Sequence, residues 1–322
     1  MARINLINPK NSLQLNLDGN RLVDSKGNSF NIRNGIPIIA EKVNYTENFS
    51  WQWNKFDKTQ FDHDGREINL SRERFFSETG WTTQGLDDAN ILEVGSGAGR
   101  FSKVVLENTQ ANLYSIDYSD AVSANYKNNG GIAPDRFHLF QASIYEMPFP
   151  SNSFDKVFCF GVLQHTPNFE ASIKALVDKA KVGSEIVVDF YPINGWWTKI
   201  HSKYLLRPLT KKMNHQKLFN IIERNIDWMI RLFDFLNNIG IGFLTRIIPI
   251  TDLRGFPKQL SNKDRREWAL LDTFDAFSPE YDNPQRLKDV VKMFKNNGTN
   301  VTYSGVIKMN QGIATVVRAI KK

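Results

Sequence analysis

A glycine-rich turn near residue 95 constrains the fold of this chain more than any other feature. Residues 91–94 form a short apolar run, and residues 101–106 place apolar side chains at helical spacing. Between them stand three glycines at alternate positions, Gly95, Gly97 and Gly99. A strand, a glycine turn and a helix make the first half of a βαβ unit. Because glycine has no side chain, a ligand can approach the turn closely and bind the free backbone N–H groups at the start of the helix.

The spacing of these glycines distinguishes the turn from other nucleotide-binding loops. A dinucleotide fingerprint requires G-x-G-x-x-G or a final alanine, and here Arg100 occupies that last position. The Gly-Lys-Ser/Thr sequence of a P-loop is also absent from the turn. A nucleotide-dependent oxidoreductase is therefore disfavoured, and a glycine turn with a purely structural role remains as an alternative.

Three later segments add to this pattern. Residues 112–117 form a second strand-like run that ends in Asp117, at the distance from Gly95 where an acid meets the ribose hydroxyls of an adenosine ligand. Residues 141–149 and 153–165 follow as a loop and a further apolar strand. Together with the acid Glu93 before the glycines, these segments resemble bacterial class I S-adenosylmethionine (SAM) dependent methyltransferases of the type 11/25 kind.

The resemblance implies SAM as cofactor, S-adenosylhomocysteine as product, and no metal. Asp117 would meet the ribose, and Phe160 or Gly161 would offer a backbone carbonyl to the cofactor amine. Ser143 stands where the family usually has an acid at the adenine, and a neutral hydrogen bond is weaker than a charged one. The residues assigned to the cofactor are Glu93, Gly95, Ser96, Gly97, Gly99, Asp117, Tyr118, Ser143, Ile144, Phe160 and Gly161.

Methyl transfer to a hydroxyl needs a group that accepts the hydroxyl proton. His165 follows the fourth strand and is the candidate base, because a histidine exchanges protons near neutral pH. Its alternative role is to hydrogen-bond the backbone of a loop. Tyr191, Asp272, Asp275 and Tyr281 are the candidate substrate-binding residues. Asp272 and Asp275 could accept hydrogen bonds from sugar hydroxyls, or could be only a solvated pair or a helix-capping pair.

The alternation of strand and helix patterns predicts an α/β fold with a Rossmann-like, seven-stranded, mostly parallel sheet and flanking helices. We expect residues 1–43 to form a small β unit with a tight turn at Gly19, similar to a zinc ribbon but without cysteine ligands. Ser119, a good N-cap residue, predicts the start of the second helix of the sheet domain. Residues 44–194 and 267–322 are predicted to form the SAM-binding domain. Residues 195–266 are predicted to be a helical insertion that caps the carboxyl ends of the strands, where open α/β sheets bind ligands.

The segment before the glycine turn is rich in aromatic residues. Phe49, Trp53 and Phe56 follow helical spacing, so they predict a helix. The family that the chain resembles often uses such a helix as a lid over the cofactor. The alternative is that the aromatic rings only pack in the core. The basic residues Arg72 and Arg74 could form an ion pair with the cofactor carboxylate, or could lie on a solvated helix face.

The positive charge of this chain is concentrated in the predicted insertion. The 322 residues include 41 lysines and arginines and 34 acids, and residues 195–266 alone hold 14 and five of these. A nucleic-acid coat is therefore not expected. The insertion could bind a phosphate-bearing acceptor such as a nucleotide- or lipid-linked sugar, rest on an anionic membrane surface, or be a solvated face.

The cysteine content and the lack of long apolar stretches indicate where in the cell the protein is located. Cys159 is the single cysteine, so neither an internal disulfide nor a zinc cluster is expected. The N-terminal residues lack a signal-peptide pattern, and no uncharged stretch reaches 18 apolar residues. We expect a cytoplasmic protein, with peripheral contact at the inner membrane face as an option.

These patterns predict SAM-dependent methyl transfer to an oxygen or nitrogen of a small-molecule or carrier-linked acceptor, such as a sugar. Two alternatives remain. One is a catalytically silent SAM-fold protein that binds or regulates a partner, whose cofactor pocket would be filled by side chains. The other is a methyltransferase that acts on a lipid or an RNA.

Overall fold

The computed structural model describes residues 4–41, 45–62, 69–257, 260–310 and 312–322. Its first part is a small antiparallel sheet in the order β1-β2-β3-β4. The tight turn predicted at Gly19 is confirmed, because the strands on either side of it pair with each other. The strands are β1 Asn16–Asp18, β2 Arg21–Val23, β3 Ser29–Arg33 and β4 Ile36–Pro37.

A buried carboxylate connects the loops of this small sheet. The side-chain amides of Asn8, Asn11 and Asn28 donate to Asp24 over 2.7–2.9 Å, and the backbone N–H groups of Lys26 and Asn28 donate to it as well. These hydrogen bonds, led by the one from Asn11, hold the pKa of Asp24 well below its usual range. A carboxylate therefore links the loops of a unit that has no cysteine. The likeness of this unit to a zinc ribbon stays a prediction.

The small sheet is attached to the edge of a larger one. The backbone N–H groups of Ile39 and Ala40 donate to the carbonyl of Gln141, over 2.8 and 2.9 Å. Leu15, Leu22 and Ile39 join the main hydrophobic core. Because a unit of about 40 residues buries little surface alone, this shared core accounts for its stability.

The larger sheet has seven strands in the order β10-β11-β9-β8-β5-β6-β7. The strands from β5 to β9 are parallel, whereas β11 is antiparallel to both of its neighbours. This arrangement confirms the predicted Rossmann-like, mostly parallel sheet. The strands are β5 Asn90–Val94, β6 Asn112–Asp117, β7 Phe137–Gln141, β8 Phe154–Cys159, β9 Ala180–Phe190, β10 Thr299–Met309 and β11 Gly312–Lys321.

The order of strands reverses between β5 and β8, which creates a crevice at their carboxyl ends. Hydrophobic side chains cover both faces of the sheet, as expected for parallel strands between helices. The helices are α1 Glu47–Lys55, α2 Leu70–Thr79, α3 Arg100–Asn108, α4 Val122–Asn129, α5 Phe169–Lys179, α6 Ser202–Thr210, α7 His215–Asn238, α8 Asn262–Phe277 and α9 Leu287–Asn296.

One predicted helix start is wrong. Ser119 was expected to cap the second helix of the sheet domain, but α4 begins at Val122. The hydroxyl and backbone N–H of Ser119 instead donate to Asp117, over 2.6 and 2.8 Å. The serine therefore shapes the loop after β6 rather than the helix.

The cap above the crevice is helical. Its elements are α6, α7, α8 and short 3₁₀ turns at residues 196–199, 242–247 and 253–255. The buried stripe of α7, which includes Phe219 and Phe233, packs on α8 near Phe274. Helix α8 runs across residue 266, where the sequence placed the end of the insertion, and those domain boundaries stay a prediction. Among the described helices, none has the length and apolar character of a membrane span.

Candidate functional site

A cavity of about 890 Å³ lies at the carboxyl ends of β5, β6, β8 and β9, beneath α1 and the cap. Most of the residues singled out in the sequence line it. These are Gly95, Ser96, Gly97, Asp117, Tyr118, Ile144, Phe160, Gly161, His165, Tyr191, Asp272 and Asp275. Four others do not line it, namely Glu93, Gly99, Ser143 and Tyr281.

The middle glycine of the turn faces both the cavity and Asp117. Gly97 has a φ of 53°, and its N–H donates to Asp117 Oδ2 over 2.8 Å. A Cβ atom at Gly97 would lie 3.1 Å from the indole nitrogen of Trp53 on α1. The space above this turn is therefore bounded by a flat aromatic ring, and a side chain at residue 97 would narrow it.

Glu93 and Gly99 support the turn from behind. The Glu93 carboxylate accepts hydrogen bonds from the hydroxyls of Ser102 and Ser115, and burial raises its pKa to about 7. A Cβ atom at Gly99 would lie only 2.1 Å from the Asn125 side-chain oxygen. These two residues position the turn without facing the cavity. The sequence did not identify the serines or Asn125, because their partners lie on other elements.

Asp117 is the acid at the end of β6, and it retains room for a ligand. Its carboxylate accepts from the N–H of Gly97 and from the N–H and hydroxyl of Ser119. A carboxylate offers about four acceptor positions, so one remains for a group in the cavity. Burial raises the pKa of Asp117.

The wall next to Asp117 differs from the sequence prediction at one position. Ala142, Ile144 and Tyr118 line the cavity, whereas Ser143 lies between the first two and does not. Its hydroxyl accepts a hydrogen bond from the N–H of Tyr145 over 3.2 Å. The described geometry therefore gives Ser143 a structural partner instead of a place in the cavity wall.

A buried ion network lies at the ends of β8 and β9. Arg74 of α2 donates to Asp189 over 2.6 Å and to Glu78 over 2.7 Å, and the N–H of Gly161 donates to the other oxygen of Asp189. Burial raises the pKa of Glu78. Arg74 and Asp189 both line the cavity. Helix α2 thus fixes the loop at Gly161 through a single guanidinium.

His165, the candidate base, also lines the cavity. Its Nδ1 lies 3.0 Å from the carbonyl oxygen of Tyr281. Because a carbonyl only accepts, Nδ1 carries the proton of the neutral ring, and Nε2 keeps a lone pair. Nε2 is 3.9 Å from a carboxylate oxygen of Asp275. Burial lowers the pKa of His165, which favours the neutral ring.

The predicted acid pair lies beside this histidine. The hydroxyl of Tyr191 donates to Asp275 over 3.4 Å, and the amide of Gln60 donates to Asp272 over 3.1 Å. Burial, reinforced by the charge of Asp275, raises the pKa of Asp272 to about 7. Tyr281 contributes its backbone carbonyl to His165 rather than a side chain to the cavity.

Helix α1 forms the roof of the cavity. Phe49, Gln52 and Trp53 line it, and the ring of Phe49 lies 5.2 Å from that of His165. Two polar atoms in the lining, Gln52 Oε1 and Ser96 Oγ, are buried and have no hydrogen-bond partner among the described residues. Buried polar atoms normally find partners, so these two are suited to a polar ligand.

Comparison with protein families places one domain in this chain. The family described as "Methyltransferase domain" matches residues 92–188, which include the glycine turn and most of β5 and β9. A chain in the complex between the Haloferax volcanii Trm112 methyltransferase activator and a putative methyltransferase has the same fold. The two superpose with a TM-score of 0.50 at 10% identity, over 87% of this chain and 100% of that chain.

Two curated relatives each match about a third of this chain. The tRNA U34 carboxymethyltransferase of Nautilia profundicola is 24% identical over 110 residues, which are 34% of this chain and 37% of that protein. The sterol 24-C-methyltransferase of Aspergillus fumigatus is 27% identical over 96 residues, 29% of this chain and 25% of the relative. The chain therefore spans between a quarter and two fifths of the length of these two relatives.

Proposed function

We propose that this chain, which carries a methyltransferase domain over residues 92–188, binds SAM and transfers its methyl group to an oxygen or nitrogen of a small-molecule or carrier-linked acceptor. The observation that carries the proposal is the arrangement of the cavity. The same cavity is lined by the turn at Gly97, whose N–H donates to Asp117, and by His165, which lies beside Asp275.

The lining fits an adenosyl cofactor in several respects. Asp117 has an acceptor position left for a ribose hydroxyl, and Ser96 Oγ has no partner among the described residues. Arg74 lines the cavity, so its positive charge suits the cofactor carboxylate. We assign Glu93 and Gly99 to support of the turn, and we assign no direct adenine contact to Ser143.

SAM, when bound, supplies a methyl group on a positively charged sulfur. The contribution of this chain is mainly to hold the acceptor atom in line with that methyl group, which can supply much of the rate enhancement. For a hydroxyl acceptor, Nε2 of His165 takes the proton while the Tyr281 carbonyl keeps the ring oriented. Asp275 and Tyr191 are close enough to this nitrogen to orient the hydroxyl.

Isothermal titration with SAM and with S-adenosylhomocysteine tests the cofactor assignment. The unaltered protein should bind both, and Asp117→Ala should abolish the binding heat. Asp120→Ala is the matched control, because Asp120 follows three residues later and does not line the cavity. A folded, unaltered protein that releases no heat with either compound would contradict the proposal.

An RNA acceptor is the second candidate, and the likeness to a tRNA U34 carboxymethyltransferase over 34% of the chain favours it. A lipid acceptor is supported in the same limited way by the sterol 24-C-methyltransferase. Incubation with methyl-labelled SAM and either total tRNA, a lipid extract or a small-molecule extract separates the classes by the fraction that becomes labelled. Binding of SAM without label in any fraction would favour the catalytically silent alternative.

A further inference from the structure

Helix α6 has an inverted distribution of polar and apolar side chains. Leu205 and Leu209 are 73% and 71% exposed, whereas Arg207 between them is 7% exposed. The guanidinium of Arg207 donates inward to the backbone carbonyls of Ala276 and Pro279, over 3.2 and 2.8 Å. A surface helix normally turns its charged residues to water and its leucines to the core. The outer face of α6 is therefore suited to a partner that is not water.

Neighbouring turns extend this apolar surface. Arg246 donates to the carbonyls of Trp197 and Ile200, over 2.6 and 3.0 Å, which joins the turn at 242–247 to the turn at 196–199. Within these turns Trp196 is 79% exposed and Phe243 is 68% exposed. Such large exposed rings on adjoining segments mark an interaction surface rather than scattered surface residues.

Helix α7 adds a stripe of the same character. Its exposed apolar residues recur at intervals of three, four or seven, so they lie on one side of the helix, next to the buried stripe that packs on α8. The stripe reaches Ile239 and is followed directly by the turn at 242–247. We call these exposed side chains together the cap surface. Its members are Trp196, Trp197, Ile200, Leu205, Leu206, Leu209, Ile221, Trp228, Leu232, Phe235, Ile239, Phe243 and Ile247.

The charges around the cap surface are positive and lack acidic partners. Five basic side chains on or beside its elements form no ion pair within the described ranges. The three acids of α7, Glu223, Asp227 and Asp234, lie on another side of the helix, and Asp227 and Asp234 are paired with Arg266 and Arg265 of α8. The basic residues without such partners are Lys199, Lys212, Lys217, Arg224 and Arg231.

We propose that the cap surface docks on an anionic membrane surface. Its indole and aliphatic side chains enter the boundary between headgroups and acyl chains, and its basic side chains contact lipid phosphates. A second copy of the chain is a poorer occupant, because a twofold contact would place the same positive surface against itself.

The cap surface is also close to the cavity. His201 and Lys203 line the cavity, and they lie between the exposed turn at 196–199 and the exposed leucines of α6. Arg254, which follows the turn at 242–247, lines it as well. A molecule anchored in the membrane would therefore meet the cavity near this edge. Membrane docking itself does not depend on the proposed methyl transfer.

Cosedimentation of the full chain with lipid vesicles tests the proposal. Vesicles of phosphatidylcholine alone should bind little, and vesicles that include phosphatidylglycerol should bind the protein in a salt-sensitive manner. Lys212→Gln and Arg231→Gln should each weaken this binding by about fivefold. Lys26→Gln, on the N-terminal sheet, is the matched control and should bind as the unaltered protein does.

The apolar contribution needs its own variants. Leu205→Ser with Leu209→Ser should reduce vesicle binding by at least about tenfold, because two exposed leucines leave the interface. Leu17→Ser with Val182→Ser replaces two equally exposed residues outside the cap and should have no effect. Both pairs leave the core intact, so melting temperatures should match.

Three outcomes would overturn the proposal. The first is equal binding to both kinds of vesicle, or to neither. The second is a dimer in light scattering that the leucine substitutions convert to a monomer while vesicle binding is absent. The third is binding of labelled RNA that the basic substitutions abolish while vesicle binding is unchanged.

Discussion

At the scale of single residues, the site depends on a contact between Gly97 and Asp117. The N–H of Gly97 donates to the carboxylate, and the indole of Trp53 lies where a side chain at residue 97 would be. The glycine therefore has two roles. It adopts a left-handed backbone conformation, and it leaves the space between the turn and the roof open.

Gly97→Ala separates these two roles. The substitution should destabilise the protein by about 1 kcal/mol through backbone strain and should strongly weaken SAM binding by narrowing the cavity. Gly183→Ala is the matched control, because Gly183 also has a positive φ but a Cβ atom there meets nothing within 4 Å. Titration calorimetry should show normal SAM affinity for Gly183→Ala. Equal affinity in both variants would remove Gly97 from the binding site.

His165→Gln should lower kcat by about 10²- to 10⁴-fold for a hydroxyl acceptor, with little change in SAM affinity. Burial lowers the pKa of His165 below its ordinary value of 6.5, which favours the neutral ring that accepts a proton. The activity of the unaltered enzyme should therefore decrease at acid pH, as His165 becomes protonated, and the midpoint of this decrease should lie below pH 6.5.

Two results would argue against His165 as the base. One is a pH–activity profile of His165→Gln that still shows the same decrease at acid pH. The other is an equal loss of activity in His138→Gln. His138 is the matched control because it lies on β7 and does not line the cavity.

At the scale of elements, the sequence predicted the strands and most helices because each carries its own local signal. The alternation of apolar runs with helical spacing identified β5 to β9 and the helices between them, and the glycines marked the turn after β5. The N-terminus of α4 was misplaced because Ser119 is tied to Asp117, a contact that helix-capping rules do not consider.

Contacts between distant elements could not be predicted in this way. Arg74 and Asp189 are 115 positions apart, and nothing in the sequence near either residue specifies their pairing. Ser143 was assigned to the adenine because it stands where the family it resembles usually has an acid, and its hydrogen bond with the N–H of Tyr145 does not follow from that resemblance. The roof is intermediate, because the spacing of Phe49 and Trp53 predicted a helix but not which residues would lie beneath it.

The pairing of α2 with the sheet through Arg74 should be essential for stability. Arg74→Gln leaves Glu78 and Asp189 buried without their cation, and we expect the free energy of unfolding to fall by roughly 3–5 kcal/mol. Arg72→Gln is the control on the same helix, because the Arg72 side chain is exposed and donates to the neutral side chain of Asn108 over 2.8 Å. Urea unfolding measures both. Similar stabilities for the two variants would contradict the role assigned to this ion network.

At the scale of the whole molecule, the cavity is enclosed by parts that are far apart in the chain. The sheet supplies the glycine turn and Asp117, α1 supplies the roof, and α8 supplies Asp272 and Asp275. The two acids could be proposed from the sequence as a pair, but their place in the same cavity as Asp117 results from how the cap folds back over the sheet. The division of the chain into domains at residues 195 and 266 stays a prediction.

A crystal structure of the protein with S-adenosylhomocysteine is the decisive test of the proposed cofactor site. We predict that the ribose hydroxyls lie within hydrogen-bond distance of Asp117, and that the sulfur faces His165. The ligand bound elsewhere, or a cavity closed by Trp53 while the protein still binds the ligand in solution, would contradict this prediction.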